Sequence, residues 1–426
     1  MLDIKYIREN PDLVKENLKK KFQEDKISKV DELIEKDASY RLLLKEVEQL
    51  RGQRNKISAE INSRKKSGDD CADLFKQAKE IPGKIADVEV QTTQLAKEIK
   101  EILYIIPNMI HESVPIGKND KENVVQEIIG EPKVMNFEVK SHVEIAEKLN
   151  VVDFETSAKT SGNGFYYLKG DLALLNVALI NFARDYMVEQ GYEYTEPPLM
   201  IREEVLTGVY SGNEIEEMAY KIENEDLYLI ATSEHPLIGM FINKTITKEM
   251  LPIKLTGFSA CFRKEIGSHG IDEKGLYRTH QFNKQEMVVI CEPKDSYKFY
   301  DEMLSHSKEI FKRLGLPIRE IECCSGDLAD LKAKSADLEM WSPRKQDYFE
   351  ITSCTNMEAA QARRLNIKVT DGKEKYFAHT LNNTVIATSR AMVGILENCQ
   401  NEDGSVTIPE VLRSYMAGKE KIVAKK

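Results

Sequence analysis

Two charged segments joined by a glycine-containing loop carry the side chains best suited to chemistry. Residues 261–265 read CFRKE and residues 279–286 read THQFNKQE, a pattern typical of two strands in which alternate side chains share a face. Arg263 offers a planar, permanently charged fork that suits a phosphate or a carboxylate. Phe282 is either a core residue, the safer interpretation of a single Phe, or a flat platform for a nucleobase. Because both faces carry charge, this is not an ordinary half-buried hairpin.

Three further segments place polar side chains where a strand would normally bury apolar ones. Residues 232–234, TSE, end the apolar run LYLIA, and their first and third side chains are predicted on one face. Residues 349–353, FEITS, follow DLEMW at 337–341, and carboxylates beside hydroxyls suit a Mg²⁺ ion that bridges substrate phosphates. Arg390 is predicted near the start of a helix.

Each of these segments alone has an ordinary structural explanation, such as a solvated strand end. Together they supply two arginines, a flat aromatic ring, metal-capable carboxylates and a small acidic pocket, which are the parts needed to bind ATP and a small amino acid. The sequence has neither a G-x-x-x-x-G-K-[ST] motif nor a G-x-G-x-x-G motif after a strand. A P-loop site and a Rossmann site are therefore unsupported.

Length and composition describe a globular protein of two or three domains. The chain has 426 residues, of which 31% are charged and 41% hydrophobic, and no apolar run approaches the ~20 residues that span a bilayer. Seven cysteines without C-x-x-C spacing indicate reduced thiols in a cytoplasm rather than disulfides or structural zinc. The net charge of -10 decides little about nucleic acid, because clustering of Lys and Arg matters more than their sum.

The elements that must position these residues indicate an α+β protein. After a helix that begins near Pro11, residues 28–106 show helical periodicity in two stripes separated by a polar turn near Gly68, which predicts an antiparallel coiled-coil arm. Pro82 should kink or restart the second helix. Residues 111–133 are turn-rich and predict a connector, and residues 134–426 mix helices with β-rich runs typical of an antiparallel sheet. Residues 1–110 are then the N-terminal domain.

The arm taken alone has two interpretations. A dimerisation or spacer element is the commoner role of a coiled coil, whereas a lever that binds a partner is the alternative. Its tip and outer faces carry clustered basic residues, although solvated charge is normal on such faces. The positions are Arg51, Arg54, Lys56, Arg64, Lys65, Lys66, Lys76 and Lys79.

The motifs in order resemble the seryl-tRNA synthetases of class II. GNGFYYLKGDLALLNVALINFA and GYEYTEPPLM resemble the first class motif, CFRKEIGS with GLYRTHQFNKQE the second, and TSRAMVGILEN the third. TSE, KSADLEMW, FEITSCTN and QARRLNI are more specific to the family. The resemblance implies a coiled-coil arm followed by a class II catalytic domain, built on an antiparallel β-sheet flanked by helices.

The resemblance also implies a role for each matching residue. Arg263 would hold the α-phosphate of ATP, Phe282 would stack on adenine with Glu265 nearby, and Arg390 would reach the γ-phosphate. Arg263, Glu350 and Arg390 are thus the implied catalytic residues. Further ATP contacts are implied at Lys264, Thr279, Ile351, Thr352 and Ser353. A Mg²⁺ site is implied at Glu350 and Ser353, with Glu339 as a candidate second carboxylate. Serine contacts are implied at Thr232, Glu234, Arg263, Glu286 and Thr384.

Partners are implied in the same way. ATP, L-serine and tRNA(Ser) would be substrates, tRNA(Sec) a second candidate acceptor, and the first motif a homodimer interface in a cytoplasmic enzyme. The arm would contact tRNA through Arg51, Arg54, Lys56, Arg64 and Lys65. The loop from Gly267 to Gly275 is expected to move between covering ATP and guiding the end of the tRNA.

Departures from the family pattern leave alternatives to be weighed. Residues 382–384 read N-N-T where many members read N-G-S, and residues 388–389 read T-S where many read V-G. The first variant resembles the archaeal branch, and the serine pocket matches the metal-free form rather than the zinc-dependent one. An amino acid:carrier-protein ligase would lack the arm, and a non-catalytic tRNA-binding homologue would have lost Arg263, Glu350 or Arg390, yet all are present.

Overall fold

The computed structural model describes residues 1–210, 214–265 and 275–424, and divides the chain into two units. One unit spans Leu2–Pro107 and the other spans Asn108–Lys426 together with Met1. The predicted mobile loop, apart from Gly275, lies outside the described residues. Within the described ranges, no helix is both long and apolar enough to cross a membrane.

The N-terminal unit is helical, and most of it is a hairpin of two long helices. Gly68 ends the first long helix in a left-handed conformation with φ of 80°, which glycine adopts without steric cost, so the predicted turn is confirmed. The helices are α1 (Ile4–Glu9), α2 (Pro11–Lys20), α3 (Ile27–Ser67) and α4 (Ala72–Ile105).

Apolar residues at helical spacing form the seam of the hairpin. On α4 the predicted stripe is buried at Leu74, Ile81, Ile85 and Val88, whereas Val47 and Ile61 are the buried apolar residues in the hairpin half of α3. The helix α4 continues through Pro82 instead of restarting there. Burial of the facing stripes therefore outweighs the hydrogen bond that proline cannot make.

The second unit, Asn108–Lys426, contains ten helices and seventeen strands among its described residues. The helices are α5 (His142–Lys148), α6 (Phe154–Thr160), α7 (Gly170–Glu189), α8 (Glu203–Val209), α9 (Glu214–Met218), α10 (Glu234–Gly239), α11 (Ser296–Arg313), α12 (Ala360–Arg364), α13 (Thr388–Asn398) and α14 (Glu410–Arg413).

The strands follow in the same order along the chain. They are β1 (Val124–Ile129), β2 (Val152–Asp153), β3 (Tyr167–Leu168), β4 (Glu193–Tyr194), β5 (Met200–Ile201), β6 (Tyr228–Leu229), β7 (Thr245–Thr247), β8 (Ile253–Phe262), β9 (Gln281–Cys291), β10 (Ile318–Glu322), β11 (Lys334–Ser342), β12 (Asp347–Asn356), β13 (Lys368–Thr370), β14 (Lys375–Phe377), β15 (His379–Ala387), β16 (Val406–Thr407) and β17 (Lys421–Ile422).

Eight of these strands form one large sheet. Their order is β1-β10-β11-β12-β15-β9-β8-β4, and every neighbouring pair is antiparallel except β4 with β8. The segment 111–133 is more than the connector that its turn-rich sequence indicates, because β1 lies within it and pairs with β10. Long-range pairing of this kind leaves little signal in a short, polar-flanked strand.

The sequence of strand β9 lacks a simple alternation of apolar and polar residues because both of its faces are buried in its second half. Met287 and Val289 pack into one hydrophobic cluster, whereas Val288 and Ile290 pack into a second cluster. Alternate side chains of a strand point to opposite faces, so β9 is covered on both sides. Its first half, which carries Phe282, Lys284 and Glu286, instead borders a cavity.

Candidate active site

The charged ends of the central strands line a cavity of about 760 Å³. β8 leads to Arg263, β9 supplies Phe282, Lys284 and Glu286, and α13 supplies Arg390. Almost every residue predicted for the site borders this one cavity. Those residues are Thr232, Glu234, Arg263, Glu265, Thr279, Phe282, Glu286, Glu339, Glu350, Ile351, Thr352, Ser353, Thr384 and Arg390.

Two features of the predicted site differ from the structure. Lys264 is not among the residues that line the cavity, since its ammonium donates to the backbone oxygen of Glu216 at 3.0 Å. Glu234 does not alternate with Thr232 along a strand, because it is the first residue of α10. Strand alternation was therefore the wrong reason for placing both at the site, although both border the cavity.

A buried acidic cluster forms one end of the cavity. The carboxylate Oε1 of Glu286 accepts hydrogen bonds from Thr384 at 3.0 Å and from Thr232 at 3.3 Å, and Lys284 forms an ion pair with the same oxygen. The other oxygen, Oε2, has no hydrogen-bond partner among the described residues. A buried carboxylate oxygen that lacks a partner carries a desolvation cost, so this position is suited to a donor from a ligand.

Glu234 lies near this cluster and is oriented by two amides. Its Oε1 accepts from Gln361 at 3.0 Å and from Asn382 at 3.1 Å. Burial, followed by the nearby charge of Glu286, raises the pKa of Glu234 to about 7, while the hydrogen bond from Gln361 opposes the shift. A cationic ligand would favour its ionised form.

The arginine at the end of β8 contacts the aromatic ring of β9. The Arg263 Nε donates to the backbone oxygen of Ala231 at 3.3 Å, and its guanidinium lies 5.1 Å from the centroid of the Phe282 ring. Both side chains border the cavity. A planar cation beside a flat aromatic ring is an arrangement that suits a nucleotide, since it offers contacts to phosphate and to base.

Arg390 and Glu350 form a second charged group. The Arg390 Nη1 lies 3.1 Å from Glu350 Oε1, donates to the Glu350 backbone oxygen at 3.0 Å, and its guanidinium lies 5.2 Å from the Tyr277 ring. Burial opposes ionisation of Glu350, but Arg390, followed by Lys332 and Arg263, lowers the pKa of its carboxyl below the ordinary value. Glu350 is therefore a carboxylate at neutral pH.

Three further polar groups lie on β11 and β12 beside Glu350. Asp337 pairs in register with Ser353, and its Oδ1 lacks a hydrogen-bond partner among the described residues. Burial, and then the charge of Glu350, raises the pKa of Asp337 to about 6. Glu339 is held by Arg319, with Nε to Oε2 at 2.5 Å. Of the two acidic residues on β11, Asp337 is thus the one with an unsatisfied oxygen.

A buried network beside the cavity connects four distant segments. His142 Nδ1 lies 3.2 Å from Glu397 Oε1, Ser342 donates to Glu397 Oε2 at 2.5 Å, and the backbone N–H of Leu276 donates to His142 Nε2 at 3.3 Å. Since a backbone N–H can only donate, Nε2 must accept and Nδ1 must carry the proton. A Cβ on Gly275 would lie 2.6 Å from His142 Nε2, so only glycine fits there.

Sequence reasoning missed several of these residues for identifiable reasons. Asp337 alternates with apolar residues on β11, so it could have been paired with Glu339 as a cavity residue. Lys332 lies in a turn, where no pattern marks it. Gln361 begins the family-specific segment QARRLNI on the short helix α12, but no local signal gave it a role. The pairing of His142 with Glu397 joins residues 255 positions apart and has no local signal.

Comparisons with known proteins give the family. The model of the seryl-tRNA synthetase N-terminal domain matches residues 1–110, and the model of the class II tRNA synthetase core domain (G, H, P, S and T) matches residues 218–399. The serine–tRNA ligase of Methanospirillum hungatei is 46% identical, with 99% of this chain and 100% of that protein covered. This chain belongs to the seryl-tRNA synthetase family.

Further relatives of this synthetase agree in sequence and in structure. The serine–tRNA ligase of Pyrococcus horikoshii is 42% identical, with 100% of this chain and 98% of that protein covered. The crystal structure of the Pyrococcus horikoshii seryl-tRNA synthetase complexed with ATP has a TM-score of 0.95 at 41% identity and covers both chains fully. A cytoplasmic serine–tRNA ligase from Naegleria fowleri in complex with AMP gives 0.89 at 35% identity, covering 100% of this chain and 99% of that chain.

The predicted fold class and family are therefore confirmed. This class II synthetase has a helical N-terminal arm and a catalytic domain with a largely antiparallel sheet. The relatives reported from Methanospirillum and Pyrococcus are archaeal, in agreement with the predicted branch.

Proposed function

We propose that this synthetase activates L-serine with ATP and transfers it to the 3′ end of tRNA(Ser), with tRNA(Sec) as a second acceptor. The observation that carries the proposal is the cavity, in which a buried acidic end adjoins an end that contains Arg263 and Arg390. Arg263, Glu350 and Arg390 all border it, which argues against a non-catalytic homologue.

Glu286 and Glu234 are the proposed serine-binding carboxylates. The unpartnered Oε2 of Glu286 would accept the serine hydroxyl, while Thr232 and Thr384 hold the other oxygen. Glu234, fixed by Gln361 and Asn382, would bind the ammonium group. This arrangement uses buried acceptors, so alanine would leave one of them unsatisfied and would be rejected.

The opposite end of the cavity is the proposed ATP site. Arg263 would bind the α-phosphate, Phe282 would stack on adenine, and Arg390 would reach the γ-phosphate. Glu265 lies 3.3 Å from Arg278, a second arginine beside the proposed adenine position. Thr279, Ile351 and Thr352 border the same space and would complete the nucleotide contacts. Lys264 would contact ATP only through its backbone carbonyl oxygen, because its ammonium donates to Glu216 and its backbone N–H donates to Met218.

A magnesium ion bound with ATP fits the donor groups on β12. Glu350 and Ser353 supply hard oxygen ligands, and Asp337, whose Oδ1 lacks a hydrogen-bond partner among the described residues, places a further carboxylate beside them. Among the described residues no group of three or more His, Cys, Asp or Glu could hold a metal alone, and Mg²⁺ commonly takes one or two carboxylates plus phosphates. When bound, Mg²⁺ would neutralise phosphate charge.

The chemistry that these residues would support is in-line phosphoryl substitution. The serine carboxylate oxygen attacks the α-phosphorus, the bond to the bridging oxygen breaks, and pyrophosphate leaves. Arg263 would stabilise the negative charge that develops on the α-phosphate, so positioning and electrostatics suffice without a protein nucleophile. A ribose hydroxyl of the tRNA then attacks the seryl carbonyl, and AMP leaves.

The helical arm is the proposed tRNA-binding element. Arg54 and Lys56 are exposed and form no ion pair in the part of the chain that the structure describes. Arg51 pairs with Glu89 at 2.7 Å, Arg64 pairs with Glu60, and Lys65 lies over the Phe75 ring. Exposed basic side chains that are not already paired are the ones best placed to contact phosphates.

The outer face of α7 supports a homodimer. Leu174, Val177 and Val188 are about half exposed on this helix, and Leu199 and Met200 are exposed soon after it. Apolar side chains at this density commonly mark a protein interface. Light scattering should give twice the chain mass of 48.7 kDa; a monomeric mass would contradict the dimer.

The seven unpaired cysteine thiols support a cytoplasmic location.

Serine-dependent exchange of pyrophosphate into ATP tests the activation step. The proposal predicts exchange with serine and little exchange with alanine or threonine. Absence of exchange with serine, or equal exchange with alanine, would contradict it.

A further inference from the structure

Lys332 is a cation inside the proposed active site that no assigned role uses. It lies in the turn before β11, where the backbone N–H of Lys332 donates to Ala329 and that of Ala333 donates to Asn356. Its ammonium nitrogen is 3.4 Å from the hydroxyl of Ser353 and 3.4 Å from the hydroxyl of Ser335. The side chain therefore borders the cavity beside one of the two proposed magnesium ligands.

Carboxylates surround this ammonium. Asp337, Glu350 and Glu234 border the same cavity as Lys332, and their negative charges favour its ammonium form. None of these three carboxylates forms a close ion pair with Lys332 in the described residues, so the positive charge of Lys332 offsets all three negative charges rather than one of them. Lys332 is thus a cation among carboxylates that could otherwise attract a metal.

The position of Lys332 opposes a free divalent ion. An ammonium has only donors, so Ser353 must present an oxygen lone pair to it. A Mg²⁺ ion would need the same oxygen at about 2.1 Å, which would place it within a few ångströms of the ammonium. Like charges at that separation repel strongly inside a protein, unless phosphate charge is present to offset the repulsion.

We propose that Lys332 is a resident cation that makes metal binding at Glu350 and Ser353 dependent on bound nucleotide. In the nucleotide-free synthetase the ammonium satisfies the site and excludes a free divalent ion. The triphosphate of ATP adds enough negative charge for the metal and Lys332 to be held together. The inference rests on the magnesium site proposed above, and it is independent of the identity of the amino acid.

Binding of Mn²⁺ to the full-length protein tests the inference. Mn²⁺ is titrated, with the free ion measured by electron paramagnetic resonance, into wild type, Lys332→Met and Lys332→Arg, each with and without a non-hydrolysable ATP analogue. Without nucleotide, Lys332→Met should bind Mn²⁺ at least tenfold more tightly than wild type, and Lys332→Arg should resemble wild type. Lys345→Met is the matched control. Lys345 is exposed at the cavity rim, and its substitution removes the same charge.

The Mn²⁺ affinities of the variants decide whether Lys332 excludes a free divalent ion. Equal or weaker binding of Mn²⁺ by nucleotide-free Lys332→Met overturns the inference, as does equal tightening in Lys345→Met. If Lys332→Met does not fold, Lys332→Gln replaces it in the same titration, with the same tightening expected. Failure of Mn²⁺ to bind even with the analogue overturns the metal site itself, and serine-dependent pyrophosphate exchange would report separately on the proposed function.

Discussion

At the scale of single residues, Glu286 is the group on which recognition of serine would depend. One of its oxygens is satisfied by two threonine hydroxyls and a lysine, and the other lacks a partner. A substrate hydroxyl would satisfy the second oxygen, whereas alanine would leave it buried and unpaired. This asymmetry discriminates more strongly than the ~1–3 kcal/mol expected of a missing methylene.

Substitution of Glu286 should therefore act on serine and leave ATP nearly unaffected. Loss of a hydrogen bond to a charged group costs about 1.5–3 kcal/mol, so Glu286→Gln should raise the serine KM roughly 10- to 150-fold. Glu286→Ala should have at least as large an effect. The KM of ATP should stay within about threefold of the wild-type value. Steady-state pyrophosphate exchange measures both constants.

Glu339→Gln provides the control, because this carboxylate borders the same cavity but is held by Arg319. It should leave the serine KM unchanged. Equal effects of Glu286→Gln on serine and ATP would show that Glu286 supports the cavity in general rather than the serine hydroxyl.

Glu234 gives the site a dependence on pH. Its pKa is raised to about 7, so the neutral form dominates below pH 7 and the carboxylate dominates above it. The serine ammonium binds the carboxylate, and kcat/KM for serine should fall roughly tenfold per pH unit below about pH 7. Glu234→Gln should have a low kcat/KM that does not change between pH 6 and 8. A flat wild-type profile over that range would refute this role.

At the scale of elements, strands were easier to predict than the contacts between them. The charged hairpin at 261–286 was recognisable because charge on both faces of a strand pair is unusual. The start of α10 at Glu234 was not recognisable, since the apolar run before it favours a strand that continues. β1 also escaped prediction, because its pairing with β10 spans nearly 200 residues and leaves no local pattern.

The hydrogen-bond network around His142 joins α5, α13 and the segment at Leu276. His142 on α5 contacts Glu397 on α13, which also carries Arg390, and accepts from Leu276 beside Tyr277. His142→Ala should destabilise the protein by about 1–3 kcal/mol, because buried polar groups lose their partner. It should also raise the KM of ATP more than that of serine, since Arg390 and Tyr277 belong to the proposed ATP end.

Chemical denaturation and pyrophosphate exchange measure these two effects. Glu147→Ala, on the exposed face of the same helix, is the control and should change neither. If His142→Ala lowered stability but left both KM values unchanged, the network would have no part in positioning Arg390.

The arm is the second element with a testable role. Arg54→Gln combined with Lys56→Gln removes two exposed charges and should lower kcat/KM for tRNA roughly tenfold, with a smaller dependence on salt. Pyrophosphate exchange should stay at the wild-type rate. Lys373→Gln with Lys375→Gln, an exposed pair in the catalytic unit, should change neither. An equal fall in exchange would contradict a tRNA-specific role for Arg54 and Lys56.

At the scale of the whole molecule, the helical arm and the family were predictable from the sequence. The turn at Gly68 and the apolar stripe of α4 required only local periodicity, and the class motifs identified the family. Side-chain partners were less accessible, because burial and charge compensation decide them. Lys332 and Glu397 became visible only where the fold brings distant groups together.

Charging of purified tRNA(Ser) by the intact protein tests whether the cavity selects serine for transfer to tRNA. With ATP and Mg²⁺ present, labelled serine, alanine and threonine are compared for transfer to the same tRNA at matched concentrations. We expect rapid formation of seryl-tRNA and little product with the other two amino acids. Failure to form seryl-tRNA, or alanine transferred as efficiently as serine, would contradict it.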